Sequence, residues 1–153
     1  MKAVVQRVTK AQVCVEGRST GSIETGLFVM VGLHVDDDAQ DLDWLVGKVA
    51  RLRVFEDDEG RMNRSVGDMG GSLLVVSEFT LYGDARKGNR PSYAKAMSVE
   101  QARAFWPRVE HAFQATGIPC AFGEFQTMMD CHLVNDGPVT LILDSSPGKL
   151  PRS

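Results

Sequence analysis

A glycine–proline pair near the C-terminal end of the sequence constrains the fold more than any other feature. Gly137 and Pro138 separate two apolar, β-prone runs, residues 132–134 and 139–143. Proline has no main-chain N–H to donate to a sheet, and the Asn-Asp-Gly triplet at 135–137 is common in turns. Taken alone, the segment therefore predicts a turn or a strand edge, most simply a tight β-hairpin.

A second segment changes this interpretation. Residues 77–82 read Ser-Glu-Phe-Thr-Leu-Tyr, and residues 87–92 read Lys-Gly-Asn-Arg-Pro-Ser. With the Gly-Pro segment, they resemble the D-aminoacyl-tRNA deacylases, whose signatures are a Ser-Gln-Phe-Thr-Leu strand and an Asn-x-Gly-Pro-x-Thr turn. Other blocks resemble the family in the same order, up to about Leu143, and these are residues 6–8, 15–17, 59–63 and 70–72. Several matched blocks in order are far more specific than one motif.

Length and composition predict one soluble globular domain. A chain of 153 residues, 43% apolar and 24% charged, can bury a core of ordinary size. No apolar run approaches the roughly 20 residues that a membrane span needs. Lys2 and Arg7 interrupt the beginning of the chain too early for a secretory signal. We therefore expect a cytoplasmic protein without a membrane segment.

The cysteines and histidines show no metal-binding pattern. They are scattered at Cys14, Cys120, Cys131, His34, His111 and His132. No Cys-x-x-Cys pair and no ligand spacing occurs among them, so we expect neither a metal nor another cofactor. Cys14 and Cys131 lie in alternating, strand-like segments, where a free cysteine is usually a small core residue.

The charge of the chain limits how it can contact RNA. A net charge of −3 and a pI near 5.6 are the wrong sign for a general nucleic-acid binder. Attraction must therefore be local, and the best candidate is the loop that contains Arg86, Lys87 and Arg90. Charge alone is equally consistent with an ordinary surface loop. The resemblance implies that this loop contacts the acceptor end of tRNA.

The apolar pattern predicts many strands and two main helices. Strands are predicted over residues 1–8, 11–15, 27–33, 72–81, 121–125, 128–135 and 139–143, with a hairpin turn at 57–60. Asp36 to Asp38 offer N-cap carboxylates for the first helix, whose apolar residues recur from Leu42 to Leu52.

The second predicted helix begins at Ser98, where Gln101 completes a capping box, and ends before Gly117. Pro107 lies inside it and should bend or split it. The predicted fold is α/β: a single mixed α/β domain over residues 1–144, with barrel-like β-sheets flanked by the two helices. Residues 145–153 are rich in turn residues and are predicted to form a disordered tail.

The resemblance implies a substrate, aminoacyl-tRNA, whose ester hydrolysis needs an attacking oxygen and donors for the developing oxyanion. No Gly-x-Ser-x-Gly occurs, and no histidine is near Ser77 in sequence, so a Ser-His-Asp triad is not indicated. Thr80 is either part of the site, as a nucleophile, or an ordinary strand residue. The main-chain N–H groups of Phe79 and Thr80 are the preferred oxyanion donors, with a 2′-hydroxyl of the tRNA helping to activate water.

Three apolar residues are candidates for an adenine pocket. Core packing is the default for Phe79, Phe125 and Met129, whereas the resemblance places the two aromatic residues near adenine and Met129 beside them. A base stacked on an aromatic ring contributes about 1–3 kcal/mol. The segment at 127–129 reads Thr-Met-Met, where the family tends to have Ala-Asp-Met.

The resemblance also implies how chirality is read. The Gly137–Pro138 bond is cis in the family and enters the active site of the other subunit, where a rigid backbone excludes the side chain of an L-residue. Asn135 belongs to the same motif, and Arg7 is the neighbouring residue that holds the loop, although a surface cation is the alternative. A homodimer with shared sites follows.

We therefore expect a homodimeric enzyme that hydrolyses D-aminoacyl-tRNA, with glycyl-tRNA as a further candidate because glycine has no side chain to exclude. The alternative is a non-catalytic module that binds aminoacyl-tRNA or a nucleotide. Glu78 stands where the family has Gln. It is either a passive replacement or a charge that repels phosphates, attracts the α-ammonium of the aminoacyl group, or acts as a general base.

Overall fold

A computed structural model describes residues 1–146. It contains eight strands within that range: β1 Lys2–Val15, β2 Arg18–Ile23, β3 Gly26–Gly32, β4 Phe55–Glu56, β5 Met62–Arg64, β6 Ser72–Ser77, β7 Cys120–Phe122 and β8 Asp130–Asp144. Two α-helices, α1 Ala39–Arg51 and α2 Val99–Gln114, and a short 3-10 helix at Phe79–Tyr82 complete these elements.

Strand β1 organises the main sheet because it is long enough to pair with three partners. The strand order is β2-β1-β3-β6-β7, and β8 also pairs with β1. The β1 pairings are antiparallel, whereas β3, β6 and β7 run parallel. The sheet curls until β2 approaches β7, so that a Cβ at Gly21 would lie 2.7 Å from the Phe122 main-chain oxygen. This nearly closed sheet with two helices confirms the predicted fold class.

The two faces of the sheet bury two cores, as expected for strands whose side chains alternate. The larger core lies between the sheet and the helices, and its members include Val5, Leu27, Val29, Leu45, Val49, Val109 and Phe113. The smaller core fills the inside of the curl with Val8, Val13, Phe28, Leu74 and Val76. The sheet therefore forms a rigid platform for the segments at its edges.

Both helices begin where the sequence predicts. Asp38 caps α1 by accepting hydrogen bonds from the Gln40 and Asp41 N–H groups, and the Asp41 carboxylate accepts from the Asp38 N–H at 3.0 Å. Ser98 caps α2 by accepting from the Gln101 N–H at 3.3 Å. Pro107 does not split α2, which is continuous from Val99 to Gln114.

Two strand predictions are wrong, and both bear on the site. The predicted strand 72–81 ends at Ser77, because the chain turns there into the 3-10 helix. The hairpin that the Gly137–Pro138 segment predicts when taken alone is absent, because β8 continues on both sides of it and both of its parts pair with β1. The register changes from Gln6 with Thr140 to Val8 with Asn135, so the extra residues form a bulge.

Cys131 is exposed, contrary to its predicted place in the core, whereas Cys14 is half-buried. Strand β8 pairs only with β1 among the described strands, so little covers its outer residues. At the end of β8, the Ser145 hydroxyl donates to Asp41 at 2.6 Å. The rest of the predicted tail, residues 147–153, lies outside the described residues.

Candidate active site

The turn that follows β6 carries the predicted catalytic segment. The Glu78 N–H donates to the Val31 main-chain oxygen at 2.8 Å, which attaches the turn to the end of β3. Gly32 permits this close approach, because a Cβ there would lie 3.0 Å from the Glu78 main-chain oxygen. Ser77 pairs with Val31, is half-buried, and makes no side-chain hydrogen bond within residues 1–146. The turn is therefore fixed by main-chain contacts.

The Glu78 carboxylate bonds to Thr80 twice. Its Oε1 accepts a hydrogen bond from the Thr80 N–H at 3.2 Å and another from the Thr80 hydroxyl. The carboxylate therefore occupies one of the two amides predicted as oxyanion donors. It also gives the Thr80 hydroxyl the basic neighbour that a nucleophilic hydroxyl needs. Both consequences arise because Glu78 caps the 3-10 helix, which the strand prediction did not contain.

Phe79 faces solvent and not the core. Its side chain is 59% exposed, and its ring meets the ring of Tyr93 edge-on, with centroids 5.1 Å apart and planes at 71°. A ring that is held in this way is available to a ligand.

Phe125 and Met129 pack against the protein more closely than Phe79 does. Phe125 is half-buried and stacks on Trp106 of α2, with ring centroids 5.9 Å apart. Met129 is also half-buried, and its sulfur would lie 2.7 Å from a Cβ at Gly123, the residue after β7. Phe125 therefore packs with the core on the helix side of the sheet, whereas Met129 packs with the core inside the curl.

A buried arginine holds the bulge in β8. Arg7 is 7% exposed, and its Nη1 donates to the Val54 main-chain oxygen at 2.7 Å while its Nε donates to that of Asp136 at 2.9 Å. Its Nε also lies 3.3 Å from the Asp136 carboxylate. These bonds offset the cost of burying the guanidinium. Arg7 is thus a structural anchor of the bulge and not a surface cation.

Asn135 closes the bulge from its other side. Its Oδ1 accepts from the Val139 N–H at 2.7 Å, and its Nδ2 donates to the Val139 oxygen at 3.2 Å and to the Thr140 hydroxyl at 3.1 Å. Gly137 and Pro138 project between these contacts, are exposed, and are joined by a cis peptide bond. Gly137 has φ +145°, a conformation that side chains disfavour. The result is an exposed backbone element of defined shape.

The cation loop is closed and partly neutralised. Asp84 and Ser92 exchange main-chain hydrogen bonds of 2.8 and 2.9 Å, and Arg86, Lys87 and Arg90 are exposed between them. The Arg86 guanidinium binds the Asp84 carboxylate at 2.5 Å and holds the pKa of that carboxyl well below its usual range. Lys87 and Arg90 are therefore better placed than Arg86 to bind a phosphate.

Cys131 shows that the turn lies near β8. Burial, followed by the nearby carboxylates of Glu78 and Asp130, raises the pKa of the Cys131 thiol. The Cys131 thiol thus lies close to the Glu78 carboxylate of the turn.

The contacts of residues 1–146 divide the predicted site residues into separate groups. Glu78, Phe79 and Thr80 form the turn group, and Arg7 with residues 135–138 forms the bulge group. No hydrogen bond, ion pair or ring contact joins these two groups within the described part of the chain. Sequence reasoning missed Tyr93 and Asp84, although Tyr93 directly follows the cation loop and Asp84 stands two residues before Arg86.

Among the described residues, no group of three or more His, Cys, Asp or Glu side chains is arranged to hold a metal ion. Neither helix in residues 1–146 has the length and apolar character that a membrane crossing requires.

Comparison with known proteins defines the class. The family model described as D-Tyr-tRNA(Tyr) deacylase matches residues 4–144. The chain belongs to this family. A protein of Desulfitobacterium hafniense named D-aminoacyl-tRNA deacylase is 52% identical over 145 residues, which are 95% of this chain and 97% of the relative. A Thermotoga petrophila protein of the same name is 49% identical over 146 residues, covering 95% and 98%.

Two solved structures are similar. One, titled c-Myc DNA Unwinding Element Binding Protein, has a TM-score of 0.89 and 40% identity and covers 95% of this chain and 99% of its own. Another, titled as a structural analysis of a probable eukaryotic D-amino acid tRNA deacylase, has a TM-score of 0.77 at 15% identity over 93% and 97%. The second likeness concerns the fold alone.

Proposed function

We propose that this protein hydrolyses the ester bond of D-aminoacyl-tRNA and releases free tRNA and a D-amino acid. Family membership over residues 4–144 supports the reaction class. The observation that carries the proposal is the exposed Gly137–Pro138 bulge, which Arg7 and Asn135 hold from opposite sides. A backbone element held in this way can select a substrate by steric exclusion.

Water attacks the ester carbonyl, the bond to the ribose oxygen breaks, and the ribose oxygen takes a proton. The Phe79 N–H stabilises the oxyanion, and the Thr80 N–H joins it when the carbonyl oxygen displaces Glu78 Oε1. The 2′-hydroxyl of the terminal adenosine orients and activates the water. Thr80 supports the turn through its bond to Glu78. The alternative, in which Thr80 attacks with Glu78 as its base, uses the same contact.

Chirality is selected across a homodimer. Gly137 and Pro138 of one subunit enter the site built on the turn of the other, which unites two groups that are separate within one chain. The side chain of an L-residue meets this backbone, a D-residue points away, and glycine of glycyl-tRNA has nothing to exclude. The exposure of both bulge residues suits insertion into a partner.

The acceptor end of tRNA approaches along the cation loop, and the enzyme acts in the cytoplasm, where aminoacyl-tRNA is used. Phe79, with Phe125 and Met129 beside it, receives the terminal adenine. Lys87 and Arg90 contact phosphates, whereas Arg86 first has to leave Asp84. This local positive charge compensates for a net charge of −3.

The test is hydrolysis of D-Tyr-tRNA and L-Tyr-tRNA by the unmodified protein under identical conditions. We expect release of D-tyrosine with little release of L-tyrosine. Equal rates on the two enantiomers contradict steric selection. Tight binding of both without hydrolysis identifies the rival function, a non-catalytic aminoacyl-tRNA-binding module.

A further inference from the structure

Tyr93 is held at the junction between the turn and the cation loop. The Asp84–Ser92 pairing closes the loop immediately before it, and the Tyr93 main-chain oxygen accepts from the Ala96 N–H at 2.9 Å just after it. Gly83, which ends the 3-10 helix, lets the ring approach, because a Cβ there would lie 3.1 Å from Tyr93 Cε1. The position of the ring is therefore set by backbone contacts on both sides.

The exposure of this ring is unusual within the described chain. Trp44, Phe79 and Tyr93 are the exposed aromatic residues among residues 1–146, and Phe79 and Tyr93 contact each other. Tyr93 is 39% exposed. An edge-to-face pair leaves ring surface open to a third ring. Adjacent aromatic surface and cations are the combination by which proteins bind single-stranded nucleic acid.

We propose that Tyr93 stacks on a nucleobase of the single-stranded 3′ end of tRNA, upstream of the terminal adenosine. This inference rests on the proposed function. Phe79 precedes Thr80 on the catalytic turn and therefore meets the adenosine that carries the ester. Tyr93 touches the Phe79 ring on one side and continues into the loop of Lys87 and Arg90 on the other, so it meets the preceding nucleotide as the strand passes toward those cations.

The proposal assigns Tyr93 a binding role that depends on substrate length. D-Tyr-tRNA has nucleotides before its terminal adenosine, whereas the 2′(3′)-D-tyrosyl ester of adenosine has none. Loss of the Tyr93 ring should therefore weaken the reaction of the first substrate and leave the second unchanged. A residue that only supports Phe79 should affect both substrates equally. The ratio of the two kcat/KM values thus separates stacking from structural support.

The experiment compares Tyr93→Phe, Tyr93→Leu and the unmodified protein on both substrates. Leucine keeps an apolar side chain without a π-face, and phenylalanine keeps the ring. We expect Tyr93→Leu to lose about tenfold in kcat/KM on D-Tyr-tRNA, equivalent to about 1.4 kcal/mol, and less than about twofold on the adenosine ester. Tyr93→Phe should match the unmodified protein. Trp44→Leu, on the exposed face of α1, is the matched control and should change neither substrate.

Equal losses on both substrates, or no loss on either, overturn the proposal. Direct binding separates its failure from failure of the proposed function. If the unmodified protein hydrolyses neither substrate, the activity is refuted, and binding of a fluorescent acceptor-stem RNA with a single-stranded CCA end still tests the subsite. Tyr93→Leu should weaken that binding about tenfold relative to Trp44→Leu. Unchanged binding refutes stacking by Tyr93.

Discussion

The Arg7 side chain donates from Nε to the main-chain oxygen of Asp136 at 2.9 Å, and thereby joins the first strand of the sheet to the bulge in the last. The contact is partly buried, since Arg7 is buried and Asp136 is exposed. Its removal should therefore affect stability and the shape of the bulge together.

Arg7→Ala should remove the donors for two main-chain oxygens, those of Val54 and Asp136. We expect the free energy of unfolding to fall by about 2–4 kcal/mol, because buried acceptors without donors are costly. Discrimination against L-Tyr-tRNA should also decline. Chemical denaturation and paired hydrolysis assays measure these effects.

Arg18→Ala is the control for Arg7→Ala. Its ion pair with Glu124 joins side chains that are 66% and 44% exposed, so the loss should stay below about 1 kcal/mol. Equal destabilisation by the two substitutions contradicts the anchoring role of Arg7.

Glu78→Gln removes the negative charge of the side chain and keeps its size and shape. The glutamine oxygen can accept the same two bonds from Thr80 that Glu78 Oε1 accepts. A charged acceptor forms bonds about twice as strong as a neutral one, so the Thr80 N–H should be released more easily in the variant. We expect kcat at neutral pH to rise a few-fold and the pH–rate profile between acidic and neutral pH to change shape. Superimposable profiles leave Glu78 as a passive replacement.

Thr80→Val tests the attacking group. The substitution removes the hydroxyl that donates to Glu78 but keeps the main-chain N–H. We expect less than about a tenfold loss of kcat, or 1.4 kcal/mol of barrier, if water is the nucleophile. Thr20→Val is the control, because its hydroxyl on β2 donates to the Val13 main-chain oxygen at 3.3 Å and not to a predicted site residue. A fall of several orders of magnitude, with tRNA binding intact, identifies Thr80 as the nucleophile.

Tyr82→Phe should stabilise the protein. The Tyr82 hydroxyl is buried and has no hydrogen-bond partner among residues 1–146, so its removal should add about 1 kcal/mol to the free energy of unfolding. Thermal unfolding at neutral pH measures the change. A variant less stable than the unmodified protein indicates that the hydroxyl does have a partner.

Tyr82 should also make the free energy of unfolding depend on pH. Burial, followed by Asp37, Asp144 and Asp41, raises the pKa of Tyr82. Its folded state therefore retains a proton that the unfolded chain releases near pH 10. The contribution of the protonated Tyr82 to the stability of the fold is fully present below about pH 10 and is lost as the pH rises above that value. Between about pH 10 and 11, Tyr82→Phe should lose less stability than the unmodified protein.

Shared sites predict complementation between two inactive variants. Gly137→Ala places a Cβ 2.7 Å from the Val139 side chain and should deform the bulge, whereas Phe79→Ala removes the ring that we propose contacts adenine. Subunits of the two variants, unfolded together and refolded, should regain about a quarter of full activity, because half of the dimers contain one intact site. Light scattering should give a dimeric mass at micromolar concentration.

The outcome of this mixing experiment is decisive for the dimer. Activity that does not return on mixing, or a fully active monomer, contradicts sites shared between subunits. Refolding each variant alone is the control and should give no recovery.

The beginnings of both helices were predictable from neighbouring residues in the sequence. Asp38 and Ser98 cap their helices because a cap depends on residues within one turn. The 3-10 helix at 79–82 was not predictable, since it depends on the Gly32 position reached through the β3–β6 pairing. Residues 72–81 instead have a continuous β-prone composition.

The bulge in β8 also depends on residues that are far apart in sequence. Pro138 was predicted to mark a hairpin because proline interrupts a hydrogen-bonded ladder. It is tolerated within β8 because the bulge leaves its position unpaired. The residues around Arg7 left open whether it holds the loop or is a surface cation, since its two acceptors lie 47 and 129 residues away.

The pairing of β1 with β8 has a consequence for folding order. Partners such as Lys2 and Asp144 are far apart in sequence, and their contact costs loop-closure entropy before it gives any stabilisation. During synthesis, Arg7 emerges long before the strand that supplies its Asp136 partner. The Gly137–Pro138 bulge, which we propose reads chirality, therefore cannot be held by both of its strands until β8 has been made.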